Sequence, residues 1–489
     1  MLEKKLKKAP AEEKLTARLK AAQEKLAVQQ MKLTEKKLPV IVLVEGWDAS
    51  GKGSLIGRMI NPIDPRFYRV ASLEKCTEED RRMSFLWRYF KEIPENGKFV
   101  FMDSGWMTQA TSEYIRQETS EEEYRLRVQS ICNFERQLVD NGYLLVKLFL
   151  HISEKEQKKR VKALTGDKST EWRISEEDKF QNKNYKRFYE VFDEYLEATD
   201  SKKAPWHVID ASSKKWARLQ AMEILTDALD VAMERGKVDV EIPENVFALV
   251  NPPKLSEIPL EGKELTDEEY EKKLKKLQKE LRGLHNELYR KKIPVIIAYE
   301  GWDAAGKGGN IKRIAKALDP RGFEVMPIAS PLPHEKARHF LWRFYTRLPK
   351  TGHITIFDRT WYGRVMVERL EGFCSENDWQ RAFNEINEFE KDLTDWGAVV
   401  IKFWVQIDKD TQLARFTDRQ NTPEKQWKIT DEDWRNREKW DLYEGAIDEM
   451  IQKTSTEFAP WHVLESVDKK YARIKALEIV VDELKKACK

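Results

Sequence analysis

The sequence PVIIAYEGWDAAGKG at residues 294–308 contains the pattern from which the architecture can be predicted. Its first part, residues 295–300, is an apolar run with β-branched side chains, which is typical of a buried strand in a parallel sheet. The next seven residues, 301–307, fit the pattern G-x-x-x-x-G-K. A strand, a glycine-rich turn and a following helix predict a loop whose backbone N–H groups surround a phosphate while the lysine reaches its outer oxygens.

The same pattern occurs 255 residues earlier, as PVIVLVEGWDASGKG at residues 39–53. Other short sequences recur at the same offset, with no insertion or deletion between them. They include FLWR at 85–88 and 340–343, and APWHV at 204–208 and 459–463. The chain is therefore an internal duplication.

The duplication predicts two domains: residues 1–235, called the first copy, and residues 266–489, called the second copy. A chain of 489 residues is too long for one ordinary domain and long enough for two. The segment 236–265 between them carries IPENV, NPPK and IPLEG, and prolines at this density disfavour helices and central strands. We therefore interpret it as a linker.

Charge and cysteine content limit the class of protein. The 87 basic and 84 acidic residues leave a net charge of +3, so any anion site must be local. The four cysteines form no CxxC pair, which argues against structural zinc and against a disulfide framework. No apolar run reaches transmembrane length. We expect a cytoplasmic protein without a membrane or nucleic-acid partner.

The rest of the second copy alternates between apolar runs and helical patterns. Further strands are predicted at 324–328, 354–358, 399–407 and 461–464, and helices at 309–318, 334–348 and 379–396. Such alternation indicates an α/β fold, with a parallel sheet covered by helices on both faces.

Two aspartates in the second copy are candidate ligands for a metal ion. Gly308 stands where a Ser or Thr hydroxyl usually binds Mg²⁺, so another group must hold it. Asp303 in the loop and Asp358 at the end of a predicted strand supply carboxylates, and Mg²⁺ prefers one or two of these with phosphate oxygens and water. The alternative for Asp303 is a simple turn former.

Basic residues follow the predicted strands. Arg359 and Arg364 come after Asp358 at the carboxyl edge of the sheet, where they could neutralise phosphate oxygens; the alternative is an internal Asp–Arg pair that orders the turn. Arg415, Arg419 and Lys428 belong to a predicted helical flap that closes over the phosphates, or else to a solvated surface. Lys312 is part of a basic track or of one polar helix face.

The sequences GWDAAGKGG, DRTWYGRVMVE and the flap ending in WKIT resemble the polyphosphate kinase family 2, and the resemblance covers essentially the whole of each copy. The fused form is similar to the polyphosphate:AMP phosphotransferase branch. The resemblance implies a P-loop kinase-like three-layer α/β/α sandwich with a helical lid. It also implies a Mg²⁺-dependent transfer of the terminal phosphoryl group of inorganic polyphosphate to AMP, giving ADP.

The resemblance also assigns roles to residues of the second copy. The implied catalytic residues are Asp303, Lys307, Asp358, Arg359 and Arg364, with Asp303 and Asp358 as metal ligands. The implied phosphate or polyphosphate ligands are Gly301, Gly306, Gly308, Lys312, Arg415, Arg419 and Lys428.

The first copy departs from this set. Where the second copy has Arg359, Tyr362, Arg364 and Arg419, the first has Ser104, Met107, Gln109 and Leu164. We expect the first copy to be catalytically weak or inactive and to serve as a packing partner, so that the two copies form an intramolecular pseudo-dimer. Further pairing of the fused chain into a homo-oligomer stays open.

Three other functions stay open at this point. A polyphosphate-dependent nucleoside diphosphate kinase would use the same site, since the sequence does not fix the nucleotide. An ATP-dependent nucleoside monophosphate kinase shares the loop, sheet and lid, although Gly308 argues against it. A regulator that only binds nucleotide or polyphosphate fits the first copy but not the second.

Overall fold

The structure is a computed structural model that describes residues 1–3, 9–73, 75–235 and 240–489. It contains two units. The first comprises Met1–Glu78, Phe85–Asp239 and Pro333–His339, and the second comprises Glu79–Ser84, Val240–Leu332 and Phe340–Lys489. The domain boundaries at 235 and 266 stay predictions, and residues 236–239 of the expected linker lie outside the described residues.

The first unit is built on a five-stranded sheet in which every strand pair is parallel. Its strands are β1 (Val40–Gly46), β2 (Tyr68–Ser72), β3 (Phe99–Asp103), β4 (Leu144–His151) and β5 (Trp206–Asp210), in the order β2-β3-β1-β4-β5. The helices from this half of the chain are α1 (Glu12–Lys36), α2 (Lys52–Met59), α3 (Trp87–Glu92), α4 (Trp106–Ile115), α5 (Glu121–Asp140), α6 (Glu154–Thr165), α7 (Glu176–Lys183), α8 (Tyr185–Thr199) and α9 (Lys214–Arg235).

The second unit repeats this sheet. Its strands are β6 (Val295–Gly301), β7 (Phe323–Pro327), β8 (Ile354–Asp358), β9 (Val399–Gln406) and β10 (Trp461–Glu465), in the order β10-β9-β6-β8-β7. The helices from this half are α10 (Asp267–Lys291), α11 (Lys307–Ala315), α12 (Pro333–Lys336, part of the first unit), α13 (Trp342–Tyr345), α14 (Val367–Leu370), α15 (Glu376–Asp395), α16 (Lys409–Asn421), α17 (Asp431–Glu438), α18 (Trp440–Thr454) and α19 (Lys469–Ala487). The predicted α/β fold, duplicated in tandem, is confirmed.

The central strands β1 and β6 are buried along their length except at Gly301, as expected for a parallel sheet covered on both faces. All five residues from Val295 to Tyr299 have no exposed surface. The lysine-rich helix α10 begins with a capping box, in which Thr266 and Glu269 satisfy each other's backbone N–H groups. Among the described residues, no helix combines the length and the hydropathy of a transmembrane segment.

The predicted helix at 334–348 is wrong. The chain instead forms two short helices, α12 and α13, with a turn at 337–341 between them. His339, Phe340 and Leu341 are all buried, and three consecutive residues on a helix point about 100° apart. A helix could not turn all three side chains toward the same buried surface, so the chain leaves the helical conformation at these residues. The predicted helix at 309–318 runs from Lys307 to Ala315, because Gly306 caps it two residues earlier than expected.

Candidate functional site

The phosphate loop, residues 301–307, joins the carboxyl end of β6 to the first turn of α11. Gly301 has φ 152° and Gly306 φ 114°, a region that side chains disfavour. A Cβ on Gly301 would lie 2.7 Å from the carbonyl oxygen of Val405, so only glycine fits there. The loop thus presents its N–H groups at a helix N-terminus, which is the expected geometry for an anion site.

Lys307 lies over this loop. Its Nζ donates to the carbonyl oxygens of Gly301 at 2.6 Å and Trp302 at 3.2 Å, and its side chain remains partly exposed. The next residue, Gly308, is exposed, and a Cβ there would meet no atom within 4 Å. A hydroxyl side chain would therefore fit at this position, and its absence is a difference in chemistry rather than a steric requirement.

Asp358 and Arg359 lie beside the loop, because β8 is the neighbour of β6 and Asp358 is paired with Tyr299. Arg359 has φ 66°, and its backbone N–H donates to the carbonyl of Tyr299 at 3.0 Å. Its Nη2 lies 3.4 Å from Oδ1 of Asp303. The structure therefore brings Asp303 of the phosphate loop together with Arg359, the residue that follows Asp358 at the end of β8.

Asp303 and Asp358 supply carboxylates, the type of ligand that magnesium prefers. Oδ2 of Asp303 accepts a hydrogen bond of 3.2 Å from Asn436, which holds that side chain in place. No hydrogen bond or ion pair to the Asp358 side chain is present among the described residues. Among all the residues that the structure describes, no group of three or more His, Cys, Asp or Glu side chains could hold a metal ion. A site with only two carboxylates suits Mg²⁺, which takes its other ligands from phosphate and water.

Arg364 is placed differently from Arg359. It lies in a 3₁₀ turn, Trp361–Val365, and its Nη1 is 3.0 Å from Oε2 of Glu368. Its guanidinium carbon lies 4.6 Å from the centre of the Phe340 ring. The partners of Arg364 are thus Glu368 and Phe340, whereas Arg359 is the arginine that contacts Asp303.

Arg415 lies behind the phosphate loop, with its donors on backbone carbonyls. Nη1 donates to Ala304 and Ala305 at 3.0 and 2.9 Å, and Nη2 donates to Ser466 and Val467 at 2.5 and 3.0 Å. Burial lowers the pKa of this guanidinium to about 10. The contacts indicate that Arg415 fixes the shape of the loop.

Other cations lie near Arg415. Arg419 and Arg473 contribute to the lowering of its pKa. A Cβ on Gly309 would lie 3.2 Å from Nη2 of Arg473, which places that guanidinium against the first turn of α11. Burial lowers the pKa of Lys469, and Arg415 and Arg473 lower it further. The predicted Lys312 is exposed on α11, and the side chain of Lys428 lies outside the described residues.

Several side chains near the phosphate loop were not predicted from the sequence. Lys469 and Arg473 begin the last helix, more than 160 residues after the loop, and Asn436 comes from α17. The repeat is the one signal in the sequence that points to them, because Lys214 and Arg218 of the first copy correspond to Lys469 and Arg473. Because these residues lie far along the chain from the phosphate loop, the sequence does not show that they are close to it in the folded protein.

The corresponding loop of the first copy, residues 46–52, has a similar backbone but a different ion pair. Nζ of Lys52 lies 3.3 Å from Oδ1 of Asp48, and both side chains are nearly buried. Arg160 repeats the bracing by Arg415, donating to the carbonyls of Ala49 and Ser50. The first copy thus keeps the shape of the phosphate loop. The carboxylate of Asp48, a residue of the same loop, neutralises the charge of Lys52.

Sequence comparison now identifies the family. The sequence profile of polyphosphate kinase 2 matches residues 9–237 and 264–489, once for each copy. The chain belongs to the polyphosphate kinase 2 family. Each copy is thus a polyphosphate kinase 2 domain, as the resemblance in the sequence implied.

Curated relatives in this polyphosphate kinase 2 family match most of the chain. The polyphosphate:AMP phosphotransferase of Pseudomonas aeruginosa is 38% identical over 456 residues, which cover 93% of this chain and 92% of the relative. The enzyme of the same name from Acinetobacter johnsonii is 35% identical over 454 residues, covering 91% of each. Each match spans more than nine tenths of this chain and of the relative, so it covers both copies.

A solved structure and a shorter relative complete the comparison. The crystal structure of a polyphosphate kinase 2 from Pseudomonas aeruginosa matches with a TM-score of 0.85 and 34% identity, covering 99% of this chain and 98% of that one. The ADP-polyphosphate phosphotransferase of the same organism is 38% identical over 221 residues, or 45% of this chain and 73% of the relative. The tandem fold is therefore shared with a solved protein of the same family.

Proposed function

We propose that this polyphosphate kinase 2 chain transfers the terminal phosphoryl group of inorganic polyphosphate to AMP, and that the second copy performs the transfer. The names of the two-copy relatives, which match over 91–93% of the chain, carry this proposal. The geometry of the second copy supports it, because the phosphate loop, Asp358 and Arg359 converge at one edge of the sheet.

The reaction shortens polyphosphate by one unit. A phosphate oxygen of AMP forms a new bond to the terminal phosphorus, and the bond from that phosphorus to the bridging oxygen of the chain breaks. The shortened chain leaves with this oxygen, and ADP is formed. Little covalent chemistry falls to the protein in such transfers, so positioning and charge balance account for most of the rate.

The residues of the second copy suit these tasks. The N–H groups of the phosphate loop and Lys307 would bind the phosphoryl group, and Arg359 would balance the charge that spreads over its oxygens. Asp303 and Asp358 would hold Mg²⁺, which supplies further positive charge to the phosphates when bound. Arg415 would keep the loop carbonyls in place from behind. Arg364, Arg419, Lys312 and Lys428 stay candidate phosphate ligands.

The first copy would not transfer phosphate. Ser104 replaces the arginine that balances charge, and Asp48 engages the only lysine of the first phosphate loop. We also propose a cytoplasmic location, because AMP is a nucleotide of the cell interior.

A donor and acceptor assay tests the proposal. The purified full chain is given AMP with either long-chain polyphosphate or ATP as the only donor, with Mg²⁺ or with EDTA, and ADP is measured by chromatography. We expect ADP from polyphosphate and Mg²⁺, with little from ATP and none in EDTA. Absence of ADP with polyphosphate would overturn the proposal. Supplying ADP as acceptor tests a second candidate function, phosphorylation of ADP to ATP, which the name of the shorter relative suggests.

A further inference from the structure

The carboxylate of Asp303 is held by two residues, one for each of its oxygens. Its Oδ1 lies 3.4 Å from Nη2 of Arg359, and its Oδ2 accepts a hydrogen bond of 3.2 Å from Nδ2 of Asn436. The amide of Asn436 is itself restrained, because its Oδ1 accepts from the Tyr443 hydroxyl at 3.4 Å. Lys307, four residues after Asp303, forms no ion pair with any residue that the structure describes. The aspartate and the lysine of this loop are therefore not paired.

Asn436 belongs to the flap formed by α16 and α17, which is anchored to the phosphate loop. Trp440, just after the flap, stacks on Trp302 of the loop, with ring centroids 3.7 Å apart and ring planes at 8°. Gln412 of α16 donates to the backbone carbonyl of Asp303 at 3.2 Å. The stack and this hydrogen bond keep the amide of Asn436 within reach of the loop.

The first copy anchors its flap in the same way. Tyr185 stacks on Trp47 with ring centroids 3.9 Å apart. Gln157 donates to the backbone carbonyl of Asp48 at 3.2 Å, the distance of the corresponding bond in the second copy. The residue in the position of Asn436 is Gln181, whose side chain is longer by one methylene group. The flap is therefore anchored alike in both copies, while the side chain that faces the loop aspartate differs.

The longer side chain contacts the loop aspartate through its backbone. Oε1 of Gln181 accepts from the N–H of Asp48 at 2.8 Å and from the amide of Gln157 at 2.7 Å. This copy also has Ser104 where the second copy has an arginine. The Asp48 carboxylate lies 3.3 Å from Nζ of Lys52. The aspartate thus pairs with the lysine of its own loop in the copy that lacks both the arginine and the asparagine.

We propose that Asn436 is a positioning residue, which keeps the Asp303 carboxylate from pairing with Lys307 and so leaves the lysine to the phosphate of the substrate. This inference rests on the proposed phosphoryl transfer. A lysine paired with a carboxylate attracts a phosphate less, because the two opposite charges largely cancel at the phosphate. Asn436 suits this task, since its neutral amide donates to the carboxylate and adds no charge to the site.

The test measures polyphosphate binding in the absence of catalysis. The full-length protein in EDTA is titrated into end-labelled fluorescent polyphosphate, and the anisotropy gives the Kd. We expect Asn436→Ala and Asn436→Gln to raise the Kd by roughly fivefold or more, because Asp303 can then pair with Lys307. The matched control is Gln181→Ala, the same truncation in the first copy, which should leave both the Kd and the rate of ADP formation unchanged.

A background without the carboxylate distinguishes positioning from a general disturbance of the fold. In Asp303→Ala the lysine has no loop aspartate to pair with, so adding N436A should change the Kd by less than about twofold. Thermal unfolding of each variant shows that the chain is folded. Wild-type affinity in either Asn436 variant, or a loss of affinity undiminished in the D303A background, would overturn the inference. A wild-type chain that makes no ADP from polyphosphate and AMP would instead refute the proposed function.

Discussion

The two phosphate loops differ in which cation faces the loop aspartate. In the second copy Asp303 faces Arg359 at 3.4 Å, and Lys307 donates to loop carbonyls. In the first copy, where serine replaces the arginine, Asp48 pairs with Lys52 at 3.3 Å. Loss of one arginine therefore lowers the formal charge of these groups from +1 to 0, because the aspartate that pairs with Arg359 in the second copy pairs with the lysine in the first.

The largest expected effect is that of Arg359→Ser, which gives the second copy the residue of the first. Cations that stabilise a transferring phosphoryl group can be worth on the order of a thousandfold in rate. We expect kcat for ADP formation to fall by about that factor while the thermal unfolding midpoint changes little. The control is Ser104→Ala, with wild-type activity. A tenfold loss or less in R359S would mean that the two copies differ in catalysis for another reason.

Lys307→Ala compared with Lys52→Ala tests whether one loop performs the chemistry. We expect K307A to lower kcat by roughly a hundredfold or more, because the phosphoryl group loses a charged ligand, and K52A to lower it by less than threefold. Steady-state kinetics with polyphosphate and AMP measures both. Equal losses in the two variants would show that both copies are catalytic.

Arg415→Ala and Arg160→Ala separate loop support from catalysis. Each removes a guanidinium from carbonyls of its phosphate loop, so each should lower the thermal midpoint by roughly 5 °C, since hydrogen bonds to charged groups contribute about 1.5–3 kcal/mol. Only R415A should also lower kcat, by about tenfold. A loss in R415A as large as that in K307A would indicate direct contact with phosphate instead.

The smallest effect concerns stability alone. Burial raises the pKa of Glu45 from its ordinary value to about 7. The folded chain thus holds a proton that the unfolded chain releases between pH 4.5 and 7, so this contribution to stability is present below pH 4.5 and lost as the pH rises to 7. We expect the unfolding free energy of Glu45→Gln, relative to wild type, to rise by up to about 3 kcal/mol over this range. Urea unfolding at several pH values measures the difference, and a constant gap would show that Glu45 is ionised throughout.

The local parts of this fold could be predicted from the sequence. The strand at 354–358 lies where the apolar run predicted it, and Asp358 ends it, because strand patterns and strand ends depend on neighbouring residues. The strands of the first copy lie 255 residues before those of the second, which is the offset of the repeat.

The parts that depend on packing could not be predicted. Lys469 and Arg473 come from the last helix and lie beside Arg415 and α11 only through the packing of α19. The partners of Arg415 are backbone carbonyls, which no residue pattern reveals. The break at 337–341 likewise follows from tertiary burial of consecutive residues, which overrides a good helical pattern.

Gly105 occupies the position of Thr360 in the first copy, and a Cβ on it would lie 2.6 Å from Cδ1 of Leu43. The residue corresponding to Leu43 in the second copy is Ala298, whose short side chain leaves space for Thr360. A series of substitutions that gives the first copy the second-copy sequence would therefore have to shorten Leu43 before it adds a threonine at position 105. The opposite order passes through an overpacked intermediate, because Leu43 has no exposed surface into which it could move. The order of substitutions, and not only their number, therefore matters for any conversion of one copy into the other.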